Sequence, residues 1–568
     1  NFIGVNAAGT AALANGGNGI YAPNRVTNLR IGTNGDGVAD VEERNIISGN
    51  GSNGIVVDGW TNMRLTTSDH IIAGDVPRTT ASVSAPQVDF YDSGNVGSWG
   101  VNHMIPGERG DYYVLQATGT IQVNTAGTYS FALGSDNGGR LRIDGSDVIV
   151  YDLGNRPFAE NFGQVTLSAG SHTFELVGYE QSGGASFEVS VAVGGGISAP
   201  VTETNGWRVL GATNAHPQIA LAGDVTATAY YPDPGDLQMK IAGNYIGTDV
   251  TGTAALGNGQ QGVYLRYRTE GVVVGTDGDG LGDAVEGNLI ANNGGDGVLI
   301  SHVGTNYNRV AGNLIGTDVS GTIAMGNGSR FNDGGVVINN GAKSNLVGTN
   351  VDGISDQLER NVISANPRGV VIDYAGTDNN TIAGNYIGTD ITGTSAIGND
   401  SHGVVIWQNI GNIIGGTESA ARNIISGNLG AGVWMGGSGA TANTVQGNRI
   451  GTDASGTFAV PNSSAGVTLT VPGNLIGGAL PGEENLISGN LQAGVLISGS
   501  AAQNNVIQGN RIGTDTTGTA AIGNGTGVSV VSSASSNDID SNLISGKVGD
   551  GIAISDADNN SISRNLVG

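Results

Sequence analysis

The stretch Asn448-Arg449-Ile450-Gly451-Thr452-Asp453-Ala454-Ser455-Gly456-Thr457 decides the fold, because its pattern keeps returning. The phrase Asn-x-Ile-Gly-Thr-Asp-x-Thr/Ser-Gly-Thr begins at Asn244, Asn313, Asn385, Asn448 and Asn510. A second phrase, Asn-apolar-Ile-Ser-Gly-Asn or a near variant, begins at Asn45, Asn288, Asn361, Asn423 and Asn485. The two alternate, and the later Asn-led steps, ending at Asn542, are 25, 37, 25 and 32 residues. Between them lie short apolar runs such as Gly494-Val495-Leu496-Ile497 and Asn505-Val506-Ile507.

Each period therefore holds about three strands of three to five residues, separated by Gly, Asn, Ser and Thr turns. No run has the length and 3.6-residue period of a helix. The Leu-x-x-Leu-x-Leu frame of a leucine-rich repeat is missing, and the 100 glycines show no Gly-X-Y period. The expected fold is all-β: a right-handed parallel β-helix of about 13 coils, each strand pairing with its equivalent one coil above. At ~4.8 Å per coil, the solenoid is about 60 Å long.

Alternation along a strand puts each leading Asn and the aliphatic two places later on one face. The recurring Asn244, Asn288, Asn313, Asn361, Asn385, Asn423, Asn448, Asn485, Asn510 and Asn542 are expected to form an inward amide ladder at a bend. The competing reading makes them left-handed turn residues; both are structural.

The period vanishes between the coils starting at Asn45 and Asn244. Expected domains are 1–66, first coils; 67–236, an inserted domain with its core at about 88–193; and 237–568, the main body. Inside the insertion, Gly127-Thr128-Tyr129-Ser130-Phe131 and Arg140-Leu141-Arg142-Ile143-Asp144-Gly145 flank the polar turn Ser135-Asp136-Asn137-Gly138. Ala169-Gly170-Ser171-His172-Thr173-Phe174 and Tyr179-Glu180, with Gly183-Gly184-Ala185, follow. These alternating strands predict an antiparallel β-sandwich.

Those motifs resemble the protective-antigen-type domain found in bacterial glycosidases, toxins and yeast flocculins. The remainder resembles the β-helix repeats of bacterial surface proteins and pectate-lyase-like proteins, which specifies architecture more than activity. In sugar-binding protective-antigen-type domains two adjacent Asp chelate Ca²⁺, which holds sugar hydroxyls. The resemblance places Asp136 and Asn137 at those positions, and the amide in place of a second carboxylate lowers the ligand charge. The alternative is a polar turn in a sandwich that serves display or subunit contact.

Three corners share Asp-Gly-x-x-Asp-x-x-Glu: Asp36/Asp40/Glu43, Asp279/Asp283/Glu286 and Asp352/Asp356/Glu359. Two readings stand: a one-turn helix with Asp as N-cap and Glu at N3, or a Ca²⁺ site, best in the second copy, where Asp277 joins Asp279, Asp283 and Glu286. Asp249, Asp318, Asp390, Asp453 and Asp515 recur in the Thr-Asp loops and are expected to make Asx-turns.

No catalytic residue is assigned. Charges sit in loops that copy one another, and the six His (70, 103, 172, 216, 302 and 402) show no metal-ligand or catalytic spacing. Trp407 and Trp434 lie one repeat step apart and are read as isolated outward side chains. A formal charge of −26 repels nucleic acid and anionic membranes and attracts divalent cations. There is no cysteine, and no apolar run reaches the ~18 residues of a membrane span.

The chain opens and closes inside repeat phrases, which suggests a processed or truncated product, or coils that stack on those of another copy. The expected function is an extracellular or cell-surface structural protein, a filament subunit binding copies of itself head to tail. The alternatives are a carbohydrate-binding adhesin acting through the insertion and, last, a polysaccharide lyase or hydrolase. Ca²⁺ is the one cofactor the sequence suggests.

Overall fold

The computed structural model describes the chain apart from residues 24–25, 27–28, 60–71, 73–77, 92–102, 107–112, 136, 153–157, 181–185, 199–200, 233–238 and 331. It divides into two compact units, Asn1–Trp60 with Asp236–Gly568, and Thr61–Gly235.

The first unit is a parallel β-helix with three faces. The first face is a 13-stranded sheet running from Phe2–Ile3 to Leu566–Val567. The second and third, of 12 strands each, run from Ile20–Ala22 to Ile552–Ser555 and from Arg30–Gly32 to Ser561–Ser563. Every pairing is parallel and in register, so like sits on like: Ile47 on Ile246, Ile246 on Ile290, Ile290 on Ile315. These isoleucines are fully buried and, with the inward Val and Ile of the other faces, make one continuous core.

The Ile-Gly of the repeat has a steric cause. Gly247 leaves the first face at φ +94°, and a Cβ there would fall 2.0 Å from the Ala291 carbonyl oxygen of the next coil. Only glycine combines a left-handed backbone with that approach.

Coil lengths alternate because decoration does. Spacings between leading Asn residues of 44, 25, 48, 24, 38, 25, 37 and 25 residues follow from Asn244 to Asn510. Each longer coil carries a Thr-Asp loop after the first face and an extended corner after the third. The shorter coil between is bare. Successive Thr-Asp loops meet across it: Val319 N donates to Gly252 O at 3.1 Å and Ile391 N to Gly321 O at 3.0 Å.

The second unit is an antiparallel β-sandwich. One sheet holds Ala159–Leu167, Gly127–Ser135, Ser186–Val193 and Asp89–Tyr91; the other holds Ser146–Tyr151, Gly138–Ile143, Gly170–Glu180, Tyr113–Val123, Val225–Pro232 and Arg78–Ala85. Phe90, Phe131, Phe187, Leu115 and Leu176 fill the space between. The strands flanking Ser135–Gly138 lie in opposite sheets, so that turn crosses the sandwich edge instead of closing a hairpin.

Candidate glycan and cation sites

The leading asparagines point inward and touch. Asn45 Nδ2 donates to Asn244 Oδ1 at 2.8 Å, Asn244 to Asn288 at 3.0 Å, Asn288 to Asn313 at 2.9 Å and Asn313 to Asn361 at 2.9 Å. The chain of amides continues through Asn385, Asn423, Asn448, Asn485, Asn510 and Asn542. The second Nδ2 hydrogen goes to a carbonyl of the coil below, as from Asn288 to Ile241 O at 2.7 Å.

Two further ladders, absent from the sequence reading, occupy the other bends. Asn258, Asn293, Asn327 and Asn366 bond in series, as do Asn308, Asn345, Asn380 and Asn412. Their signal was present as Gly-Asn-Gly in the Thr-Asp phrase and as Asn-x-Val/Ile before the third face.

In the Thr-Asp loops each carboxylate is spent locally. Asp390 Oδ1 accepts from Thr394 N at 3.0 Å and Ser395 N at 3.2 Å, and Thr392 Oγ1 donates to it at 2.8 Å. Asp249 and Asp318 repeat the arrangement. These carboxylates brace their own turns.

The acidic corners depart from a capping box. The one-turn helix Asp283–Glu286 has Gly282 as its N-cap, with no side-chain cap bond. Asp283 instead reaches backward, accepting from Thr276 Oγ1 at 2.7 Å and Gly280 N at 3.0 Å. The same backward clasp joins Thr33 to Asp40 and Thr349 to Asp356. The third acid has two kinds of partner: Glu43 and Glu359 accept from the backbone of Asn34 and Asn350, and the fully buried Glu286 and Glu359 each pair with a base of the preceding coil, Lys240 and Arg309. Asp277, Asp279 and Asp283 each bring a carboxylate oxygen within 4.8 Å of the others. Lys240 Nζ also bonds Asp277 Oδ2 at 2.7 Å.

In the inserted domain Asp136 lies outside the described residues. Its neighbour Asn137 is buried at φ +66°. Close behind the turn, the outer face of the sheet that holds Gly127–Ser135 carries a row of acids set by register, Glu160 against Gly134, Gly134 against Glu188, and Glu188 against Asp89. Burial pushes Glu188 up to about 8, helped by the Asp89 charge, and burial lifts Asp89 to about 7. Ser190 Oγ donates to Glu188 Oε1 at 3.0 Å, while Glu188 Oε2 is buried without a hydrogen bond. On the other sheet a groove of about 750 Å³ is lined by Thr118, Thr120, Thr226, Arg142, Glu175 and Asp224. A hydroxyl-rich ligand finds both donors and acceptors there.

Trp407 and Trp434 are not isolated. Their rings stack at 5.1 Å and 14°, and His402 stacks on Trp434 at 5.6 Å and 8°. Register places Trp407 level with Gly436, whose missing side chain leaves room for both indoles. His402 Nδ1 accepts from Ala431 N at 3.0 Å, and burial pulls the imidazole down to about 4, so it stacks neutral.

Residues 78–194 match the family model of the PA14 domain. No curated protein matches the chain. Among solved structures, the "PA14 sugar-binding domain from RTX adhesin" is 20% identical and aligns with 26% of this chain and 85% of its own, at a TM-score of 0.18. The PA14 domain of the antifreeze protein MpAFP is 18% identical over 24% of this chain and 77% of its own, at 0.16. The catalytic domain of a GH87 alpha-1,3-glucanase in complex with nigerose is 9% identical over 86% of this chain and 99% of its own, at 0.28. The family match and the sheet topology together make this chain a parallel β-helix repeat protein with a PA14-type β-sandwich inserted in it.

Proposed function

We propose that the protein is a glycan-binding surface protein in which the β-helix is the scaffold and the inserted domain carries the binding site. The observation that carries this reading is the PA14 match over residues 78–194, which includes the Asp136–Asn137 turn. The threonine-rich groove on the opposite sheet offers the hydroxyl, guanidinium and carboxylate partners that sugars take. Among the described residues no helix is long and apolar enough to cross a membrane. The scaffold role is supported by how its polar atoms are used, since the Asn ladders and Thr-Asp carboxylates are committed to the fold. Ca²⁺ is the metal proposed for the turn, with Asp136 and Asn137 as ligands.

The test is a glycan array probed with the whole chain in Ca²⁺ and in EGTA, beside Asp136→Ala. Calcium-dependent retention that Asp136→Ala abolishes supports the reading. No retained glycan, or retention indifferent to the substitution, overturns the turn as the site. Any retained polysaccharide is then incubated with the protein and assayed for new reducing ends, which would convert binding into an enzymatic role. A finer proposal is head-to-tail assembly: each face is a parallel sheet whose strands bond only to the coils above and below, so the same pairing can join copies. Negative-stain imaging at high concentration tests it, and strictly monomeric rods count against it.

A further inference from the structure

The three acidic corners form an internal comparison. All three clasp the middle Asp through a Thr seven residues earlier, at 2.8, 2.7 and 3.1 Å. All three also bring a glycine N–H to that Asp, from Gly37, Gly280 and Gly353. The second corner departs from the other two at the position two residues before the leading Asp. In the first and third, Asn34 and Asn350 face the leading Asp, and their Nδ2 groups donate to Asp36 Oδ2 at 2.8 Å and Asp352 Oδ2 at 2.9 Å. The amide and carboxylate satisfy each other.

The second corner has Asp277 in that place, facing Asp279 with no proton to give. Lys240 neutralises part of the excess by taking Asp277 Oδ2 and Glu286 Oε1. What remains is Asp277 Oδ1 and Glu286 Oε2, both buried without a hydrogen bond, and Glu286 is 0% exposed. The nearby hydroxyl proton of Thr276 is already given to Asp283. Four carboxylates thus share one ammonium, with the Arg309 guanidinium alongside donating from Nη1 to Asp277 O at 2.9 Å, and oxygens of three of them converge within 4.8 Å. Buried anionic oxygens left unpaired destabilise the fold unless a cation completes them.

We infer that the corner Asp277–Glu286 is a calcium site, with Asp277, Asp279 and Asp283 as ligands and Glu286, held by Lys240, closing the acidic cluster from behind. The chemistry fits Ca²⁺ because it takes hard oxygens in irregular number from a loop and fills its remaining positions with water. The site belongs to the β-helix and is independent of the glycan reading.

The natural control is written in the chain. Asp277→Asn turns Asp277-Gly278-Asp279-Gly280 into the Asn-Gly-Asp-Gly of the first corner, Asn34–Gly37, so the variant is expected to fold. Calcium chloride is titrated calorimetrically into EGTA-stripped whole chain carrying Asp136→Ala, which removes the turn proposed for the inserted domain. Binding of a calcium ion is expected there, weakened about tenfold or more by Asp277→Asn and likewise by Asp279→Asn at an exposed ligand, because ligand charge sets affinity. Melting curves in EGTA check that both variants are folded. No calcium binding by the Asp136→Ala chain, or equal affinity in folded Asp277→Asn, overturns the site and leaves Lys240 and Arg309 as the cations the corner uses.

Discussion

Replacing Asn385 by Ala tests how much the amide ladder contributes. Asn385 is fully buried, and five hydrogen bonds end on its side chain. Its Oδ1 accepts from Asn361 Nδ2 at 2.8 Å and Asn361 N at 3.3 Å. Its Nδ2 donates to Asn423 Oδ1 at 3.1 Å, Val347 O at 2.8 Å and Ala383 O at 3.0 Å. Truncation strands the Asn361 N–H and one Asn361 Nδ2 hydrogen in a dry corner and removes a donor from Val347 O. Asn423 Oδ1 keeps the Asn385 backbone N–H. With net bonds near 1 kcal/mol and buried orphans at 1–3 kcal/mol, the expected loss is about 3–5 kcal/mol. Coils contact only their neighbours, so the loss is local. Hydrogen exchange read by mass spectrometry should quicken about 10²- to 10⁴-fold in peptides covering Asn361–Ser364 and Tyr386–Ile387. Peptides four or more coils away should be unchanged. The exposed Gln357→Ala serves as control, within about 0.5 kcal/mol. An acceleration under tenfold, or one spread evenly along the solenoid, refutes the ladder as a local source of stability.

Two further outcomes follow from side chains described above. Glu188 is raised to about 8 in the folded sandwich, so from the ordinary range near 4.5 upward the unfolded chain releases a proton the folded one keeps, and stability falls as pH rises through about 8. Glu188→Gln should flatten that slope, leaving the smaller contribution of Asp89; melting curves of the whole chain from pH 5 to 9 check it, and parallel slopes for the two proteins refute it. Asp390→Ala removes the acceptor for two backbone amides and a threonine, costing about 1–2 kcal/mol in the unfolding transition of its loop, while Asp390→Asn, which keeps an acceptor, costs less. Equal effects of the two would show that the negative charge, not the hydrogen bonds, holds the turn.

The solenoid was legible because its pattern is redundant. Asn-x-Ile recurs often enough that one reading of Asn448–Ile450 fixes the inward face of every equivalent strand. The second and third ladders were equally written, but Asn293 and Asn308 stand beside glycines and strand starts, where asparagine has a local use as well. The corners misled for a different reason. Asp-x-x-Glu specifies a spacing, not a direction, and Asp283 is drawn back to Thr276 by a loop closure that depends on coil geometry. The Trp407–Trp434 stack needed register: the two lie one coil apart but offset along the strand, and it is Gly436 that admits the second ring. In the inserted domain, Glu188 and Asp89 give no signal of their own in the sequence, since only the register of four strands reveals that the row beside Gly134 is acidic.

The alternation of ornate and plain coils sets what kind of length change the molecule tolerates. Excising Asn361 through Arg422 removes one of each, and Asn423 then follows the Asn313 coil as Asn361 did, with every loop meeting its customary neighbour. Excising only Asn361–Gly384 would bring two elaborated turns face to face with nothing between them. Duplication and loss in such a chain are therefore quantised in pairs, and natural variants of different reach are expected to differ by even numbers of coils.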